Sequence, residues 1–322
     1  MTNSLSGGSA KLVDAPGGGD DPLVPMIFHN RWWLDAATGG DYQEIELRSG
    51  GMVVARLPYV VEREWPGFRI CTMPELTHSL GWAVDLGSTT GPERSARHIE
   101  ITRELAARLK SFSGFHHKLH GGIPDTFAFN EAGYTTGVQF TFEIAPQADT
   151  VTWRQMRDKT RNVIRRAEER HAVQTSLQVE EFVSLYDNNL RERGDTNTTS
   201  RMVQVCTAAL AHGSGRFFAA KDASGAIVGA IFIVWDRYTA YYLLATRSQT
   251  SDNGVVSLLI WHAIRDAHGR GLVFDFDGVG TLGSRLFFTG FGGMVTPRYV
   301  VSRISAACRA TQIVRQRYRK LL

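Results

Sequence analysis

The sequence predicts a mixed α/β protein, with mixed sheets, built from two related units in tandem. Three observations carry this expectation. A hairpin, a strand, a helix and another strand follow one another in the first half, and the order returns in the second without a strict sequence repeat. Segments with period-two alternation or short apolar runs are interleaved with segments whose apolar residues recur at steps of three and four. The chain has 322 residues, 43% hydrophobic and 21% charged, which suits a soluble globular protein with room for two ordinary domains.

Residues 1–24, dominated by Gly, Ser and Asp, are expected to form a disordered tail because they bury almost nothing. Residues 25–148 form the first expected unit. It opens on a short helix holding Phe28, Trp32 and Trp33. QEIELR and MVVARLPYVV then alternate around SGG, which reads as a hairpin. FRICT is a third strand, and the Pro/Gly-punctuated connection after it leads to a helix over Ser95–Ser111 with Ile99, Leu105 and Leu109 on one face. FHHKLH and GVQFTFEIAP complete the unit as strands.

Residues 149–322 form the second expected unit, which carries the cleft. A helix over Thr152–His171 opens it, and EEFVSLYDNNLRER and Arg201–His212 supply two more. RFFAAKDASGAIVGAIFIVW reads as two strands around a turn at Asp222–Gly225, and RYTAYYLLATR as a third. A helix over Gly254–His268, the strand GLVFDFDG, a short helix at Arg285–Phe291, the strand VTPRYVVSR and a basic helix from Ser305 follow.

Charge and cysteine usage bound the function. A net charge of +4 is well short of a protein that coats nucleic acid. Cys71, Cys206 and Cys308 are odd in number and form no CxxC, which points to a reducing compartment without disulfides or zinc knuckles. No basic segment leads into an apolar leader, and no run approaches the roughly 20 apolar residues of a membrane span, so a cytoplasmic location is expected. His116, His117 and His120 sit close together, but alternation divides them between two faces. No further ligand set accompanies them, and no metal is expected.

Two stretches carry chemistry. In TWRQMRDKTRNVIRRAEERH the apolar stripe Trp153, Met156, Val163 and Ala167 is bordered by Arg154, Arg157, Arg161 and Arg165, with Lys159 and Arg166 on its other side. A half-buried cationic rim of this kind suits phosphates or a polyanionic donor. The alternative is a solvated helix with local pairs such as Arg165–Glu169. In FDFDGVGTLGSRLFFTGFGG, alternation places Asp275 and Asp277 on one face and Phe274 and Phe276 on the other. Two carboxylates at a strand end can hold an amine or accept its proton. The alternative is that they cap the next turn or pair with Arg285. The glycines at 278, 280 and 283 do not make a GxGxxG turn, so no dinucleotide site is read here.

WRQMRDKTRNVIRRAEER and FDFDGVGTLGSRLFFTGFGGMVTPRYVV resemble the two signature blocks of the FemAB-like branch of the GNAT acyltransferase superfamily, and NRWWLDA and LPYVV are similar to its N-terminal part. The resemblance spans most of residues 25–302. It implies tandem GNAT-like folds with a cleft at the splayed strands of the second unit, and amide-bond formation on amines. The acyl group comes from aminoacyl-tRNA in some relatives, for peptidoglycan bridges or for peptidyl-nucleoside antibiotics, and from CoA in others. Two motifs depart. CoA users resemble Q/R-x-x-G-x-G/A after the cleft strand, whose amides cradle pyrophosphate. This chain reads RSQTSDNG there, and only Arg247 fits. Bridge-forming relatives resemble FK-x-x-FGG, with a lysine for the oxyanion. Phe288 stands in its place, which leaves Arg285 as the substitute candidate.

The expected activity is therefore aminoacyl transfer from aminoacyl-tRNA to a small-molecule or peptide amine, with no resident cofactor. Arg154, Arg157, Lys159, Arg161, Arg165, Arg166 and Arg247 are the donor-phosphate candidates. Asp275, Asp277 and Arg285 are the catalytic candidates, and Trp32, Trp33 and Tyr241 the candidates for an acceptor pocket. An acyl-CoA-dependent N-acyltransferase and a non-catalytic GNAT-like binding module are the alternatives.

Overall fold

A computed structural model describes residues 21–192, 200–248, 251 and 254–319. The expected tail thus lies outside the described residues except for its end. There, residues 21–24 form a turn in which Val24 N donates to Asp21 O at 2.9 Å.

In the first half, a 3-10 turn at Ile27–His29 leads into α1 (Arg31–Thr38). The hairpin β1 (Gln43–Ser49) and β2 (Met52–Glu64) turns at Gly50–Gly51, both at positive φ, which the tight turns of two-residue hairpins require. β3 (Phe68–Thr72), β4 (Ala83–Val84), α2 (Gly91–Leu109), β5 (Gly114–Lys118), α3 (Phe127–Glu131) and β6 (Thr135–Ile144) follow. The second half contains α4 (Asp149–Gln155), α5 (Asp158–Glu168), β7 (Ala172–Gln174), α6 (Val179–Glu192), α7 (Ser200–Ala211), β8 (Gly215–Lys221), β9 (Ile227–Trp235) and β10 (Thr239–Arg247). It closes with α8 (Val255–Gly269), β11 (Val273–Asp275), α9 (Leu282–Thr289), β12 (Met294–Ile304) and α10 (Ala306–Arg319).

The strands form one mixed sheet in the order β1-β2-β3-β5-β12-β6-β11-β10-β9-β8-β7, with β4 beside β2. The architecture is α/β, a tandem of GNAT-like folds. The two halves are joined through the sheet itself. β12 lies antiparallel between β5 and β6, and β6 in turn pairs with β11. A cut at residue 148 therefore leaves β12 with the second unit in sequence and with the first in its ladder.

Three apolar layers flank this sheet. Trp82, Leu105, Phe115 and Phe129 fill the first half. α8 covers one face of β8–β11 through Leu258, Leu259 and Ile264 against Ile231 and Phe274. The opposite face takes Phe182 of α6, Met202 of α7 and, from the chain's start, Met26–Phe28 and Trp33. The N-terminal segment is thus a strap that packs on the second unit.

The expected single helix over Thr152–His171 is corrected: it is two helices. Met156 and Arg157 are extended, with ψ 147° and 145°. No proline or glycine marks the break, because the Arg161 side chain and the distant Gly290 carbonyl replace the helical hydrogen bonds. The Arg161 guanidinium donates through Nη1 to the carbonyls of Trp153 (3.3 Å), Arg154 (3.0 Å) and Met156 (3.0 Å), closing the end of α4. Arg157 N donates to Gly290 O at 3.0 Å. The expected strand through Asp277 also stops early, because Asp277 has φ 55° and leaves the ladder after Asp275.

Candidate active site

The two signature stretches meet backbone to backbone. A Cβ on Gly292, at φ +83°, would lie 2.6 Å from Gln155 O, and one on Gly290 would overlap Thr160 Oγ1. The α9–β12 turn therefore reaches the α4–α5 break only because these two positions are glycine. Phe288 in α9 is buried against Tyr242 and Phe276, with ring centroids at 5.9 and 4.5 Å, so it serves the core.

Beside this junction two strands part. β10 and β11 run parallel for three residues and end at the pair Tyr241↔Asp275, while β10 continues to Arg247 along β9 alone. Among the described residues the far edge of Tyr242–Arg247 has no strand partner.

At the point of parting lies a buried polar cluster. Thr141 and Glu143 of β6 and Arg298 of β12 share one face, because the register pairs Met294 with Glu143, Thr296 with Thr141 and Arg298 with Gln139. The Arg298 side chain is 5% exposed. Its Nη2 pairs with Asp275 Oδ2 and lies 3.5 Å from Glu143 Oε1, and its Nη1 lies 3.2 Å from Asp277 Oδ1 and donates to Ser79 Oγ at 3.4 Å. Asp275 Oδ1 accepts from Thr141 Oγ1 at 2.5 Å and from Asp277 N at 2.7 Å. His78 Nδ1 lies 2.8 Å from Asp277 Oδ2.

One guanidinium faces three carboxylates, and the titrations divide accordingly. Complete burial pushes the Asp275 carboxyl up to about 7, helped by Asp277 and Glu143 and opposed by Arg298. Burial also acts on Asp277, but His78 and Arg298 outweigh it and hold its carboxyl below the usual range. The cluster thus favours the charged form of Asp277 and the protonated form of Asp275.

This geometry corrects several sequence expectations. Asp275 and Asp277 do converge, but on Arg298 and not on Arg285, which is exposed on α9 and makes no ion pair among the described residues. Both aspartates are buried, and the partly open carboxylate is Glu143, whose side chain is 31% exposed. Trp33 is fully buried and donates from Nε1 to Thr77 Oγ1 at 3.1 Å, so it cannot line a pocket. Tyr241 is buried as well, its hydroxyl donating to Asp236 Oδ2 at 2.9 Å. Trp32 stacks on His212 with centroids 4.5 Å apart, over a separate depression that Trp235 and Tyr238 also line. The three proposed acceptor aromatics do not form one pocket.

The arginine stripe splits by role. Arg154, Arg157, Lys159 and Arg166 are exposed and make no ion pair among the described residues. Arg161 is the cap of α4 and pairs with Asp158. Arg165 lies over the Trp153 ring at 5.4 Å and donates to Asn162 Oδ1 at 3.3 Å. Arg247 donates to Ser251 O at 3.2 Å, and residues 249, 250, 252 and 253 of the loop before α8 lie outside the described residues. Sequence reasoning missed Arg298, Glu143 and His78. The available signal was an arginine in the middle of the apolar strand pattern VTPRYVV, which demands a buried carboxylate partner.

Residues 154–283 match the acetyltransferase (GNAT) domain family. The whole fold is similar to that of FemX, with 12% identity, a TM-score of 0.65 and coverage of 89% of this chain and 92% of that one. The C-terminal domain of a protein assigned as a lysylphosphatidylglycerol synthetase from Agrobacterium fabrum follows at 13% identity and TM-score 0.57, covering 88% and 90%. A tandem GNAT protein from the clavulanic acid biosynthesis pathway has 12% identity and TM-score 0.52, covering 84% and 87%. No curated protein matches the sequence. Among the described residues no helix is long and apolar enough to cross a membrane.

Proposed function

We propose, for a chain whose fold is similar to that of FemX, the transfer of an aminoacyl group from aminoacyl-tRNA to an amine on a small molecule or peptide. The observation that carries this reading is the set of exposed cations around the α4–α5 break. Arg154, Arg157, Lys159 and Arg166 have no carboxylate partner among the described residues, and the break that Arg154, Arg157 and Lys159 flank abuts the glycine turn beside the parted strands. Cations spread over two helices suit successive backbone phosphates better than one compact pyrophosphate. The glycine turn that cradles pyrophosphate in CoA users has no counterpart in RSQTSDNG. The name of the Agrobacterium fabrum relative also describes attachment of an amino acid.

The chemistry asks little of the protein. An aminoacyl ester is already activated, so alignment and charge placement supply most of the acceleration. The acyl carbonyl would lie along the open edge of β10. The half-open Glu143 and the charged cluster behind it would attract the acceptor's ammonium, since an alkyl amine is mostly protonated at neutral pH.

Incubation with total tRNA charged with radiolabelled amino acids, plus candidate amines, tests the reading. Label should leave the tRNA and appear in an amide, and tRNA binding should weaken as salt rises, with about one unit of log–log slope per phosphate contact. Transfer from acetyl-CoA with no affinity for tRNA would replace this donor by CoA, which the acetyltransferase description of the matched family favours.

A further inference from the structure

We propose that His78, held by Asp277, is the general base that removes the acceptor amine's proton. This rests on the reading that the site acylates an amine. His78 lies in the connection between β3 and β4, and no sequence motif singles it out. The fold brings it over the point where β10 and β11 part. Its ring lies 6.4 Å from that of Phe28, which lies 5.4 Å from Tyr241, the last β10 residue paired with β11.

Asp277 is committed on both oxygens, Oδ1 to Arg298 and Oδ2 to His78 Nδ1. Arg298 is itself fixed by Asp275, so the carboxylate that faces His78 cannot swing away. A carboxylate at Nδ1 favours the tautomer with the hydrogen there and leaves the Nε2 lone pair free. The His78 side chain is 33% exposed, whereas Asp277 behind it is 1% exposed. No hydrogen bond engages Nε2 among the described residues, so the imidazole is the one basic group of the cluster with an open nitrogen. Trp33 steadies the same loop through Thr77.

The step balances. The bound ammonium first loses one proton to solvent; as the free amine nitrogen then attacks the ester carbonyl, the C–N bond forms and Nε2 takes one of the remaining N–H protons. The ester C–O bond then breaks, and the imidazolium returns that proton to the departing ribose oxygen, or to the thiolate if the donor is a thioester. Asp277 is a positioning residue that stabilises the imidazolium. It touches no reacting atom.

Amide formation by purified His78→Gln and Asp277→Asn is measured against the wild-type protein with charged tRNA and with acetyl-CoA. His78→Gln should lower kcat by about 100-fold or more, leave the donor's KM unchanged, and recover in part when imidazole is added. Asp277→Asn should lower kcat by about tenfold without imidazole rescue. Because Asp277→Asn also disturbs a buried pair, diethyl pyrocarbonate labelling of the wild type gives an independent readout. His78 should be modified in the folded protein while the fully buried His29 and His117 are not. Wild-type turnover in His78→Gln, or a His78 that resists the reagent, overturns the proposal while amine acylation stands. A wild-type protein that forms no amide with either donor overturns amine acylation itself, and the proposal with it.

Discussion

Arg161 separates two readings of the same basic helix. As a phosphate ligand it would be dispensable to the fold. As the cap of α4 it would not. Its Nη1 reaches three main-chain carbonyls at 3.0–3.3 Å, and the side chain is 22% exposed. A hydrogen bond to a charged group contributes about 1.5–3 kcal/mol. The three carbonyls share one nitrogen, so the set counts as a single bond, and Arg161→Ala should cost about 2 kcal/mol. With a urea slope of about 3 kcal/mol/M, the unfolding midpoint should fall by about 0.7 M at unchanged slope. Arg154→Ala is the comparison. That side chain is exposed and makes no ion pair among the described residues, so its stability should stay within about 0.5 kcal/mol while tRNA affinity falls. Arg161→Ala unfolding at the wild-type midpoint would refute the capping argument.

Gly292→Ala should destabilise by about 2–4 kcal/mol, combining about 1 kcal/mol for a side chain at φ +83° with the overpacking of a Cβ placed 2.6 Å from Gln155 O. Gly280→Ala, which meets open space, should melt within a degree or two of wild type in the same thermal scan. The raised Asp275 carboxyl fixes a pH sign. Between its ordinary value near 4 and the folded value of about 7, the folded state keeps a proton that the unfolded chain has lost. The stability this contributes is therefore present at low pH and lost as pH rises through 7. The penalty for Asp275→Asn, measured by urea unfolding, should accordingly be smaller at pH 8 than at pH 5. A penalty unchanged between pH 5 and pH 8 would mean that Asp275 is ionised throughout.

The strands and helices were largely legible because their signals are local. QEIELR–SGG–MVVARL announces a hairpin by alternation and turn chemistry, and β8–β10 read as apolar runs around Asp222–Gly225. The candidate site was legible in its parts and not in its assembly. Asp275 and Asp277 stand out as a doublet, but their partner Arg298 is set by the β6–β12 register, which no local pattern encodes. The break at Met156–Arg157 was hidden for a similar reason. Apolar spacing runs straight through it, and the groups that replace the helical bonds are Arg161 and the distant Gly290. Trp33 and Tyr241 looked like pocket aromatics because sequence does not reveal that the N-terminal strap folds onto the second unit.

The position of β12 has a consequence for synthesis. About 150 residues separate the end of β6 at Ile144 from the start of β12 at Met294. At about 5–20 residues per second, β5 and β6 wait about 8–30 s on the ribosome without their shared neighbour. Two strand edges destined for the middle of the sheet stay open in that interval, along with Val138 and Phe140, which are about half exposed even in the finished fold. A truncation just before residue 294 would remove the strand that welds the two halves together and, with Arg298, the guanidinium that pairs with Asp275.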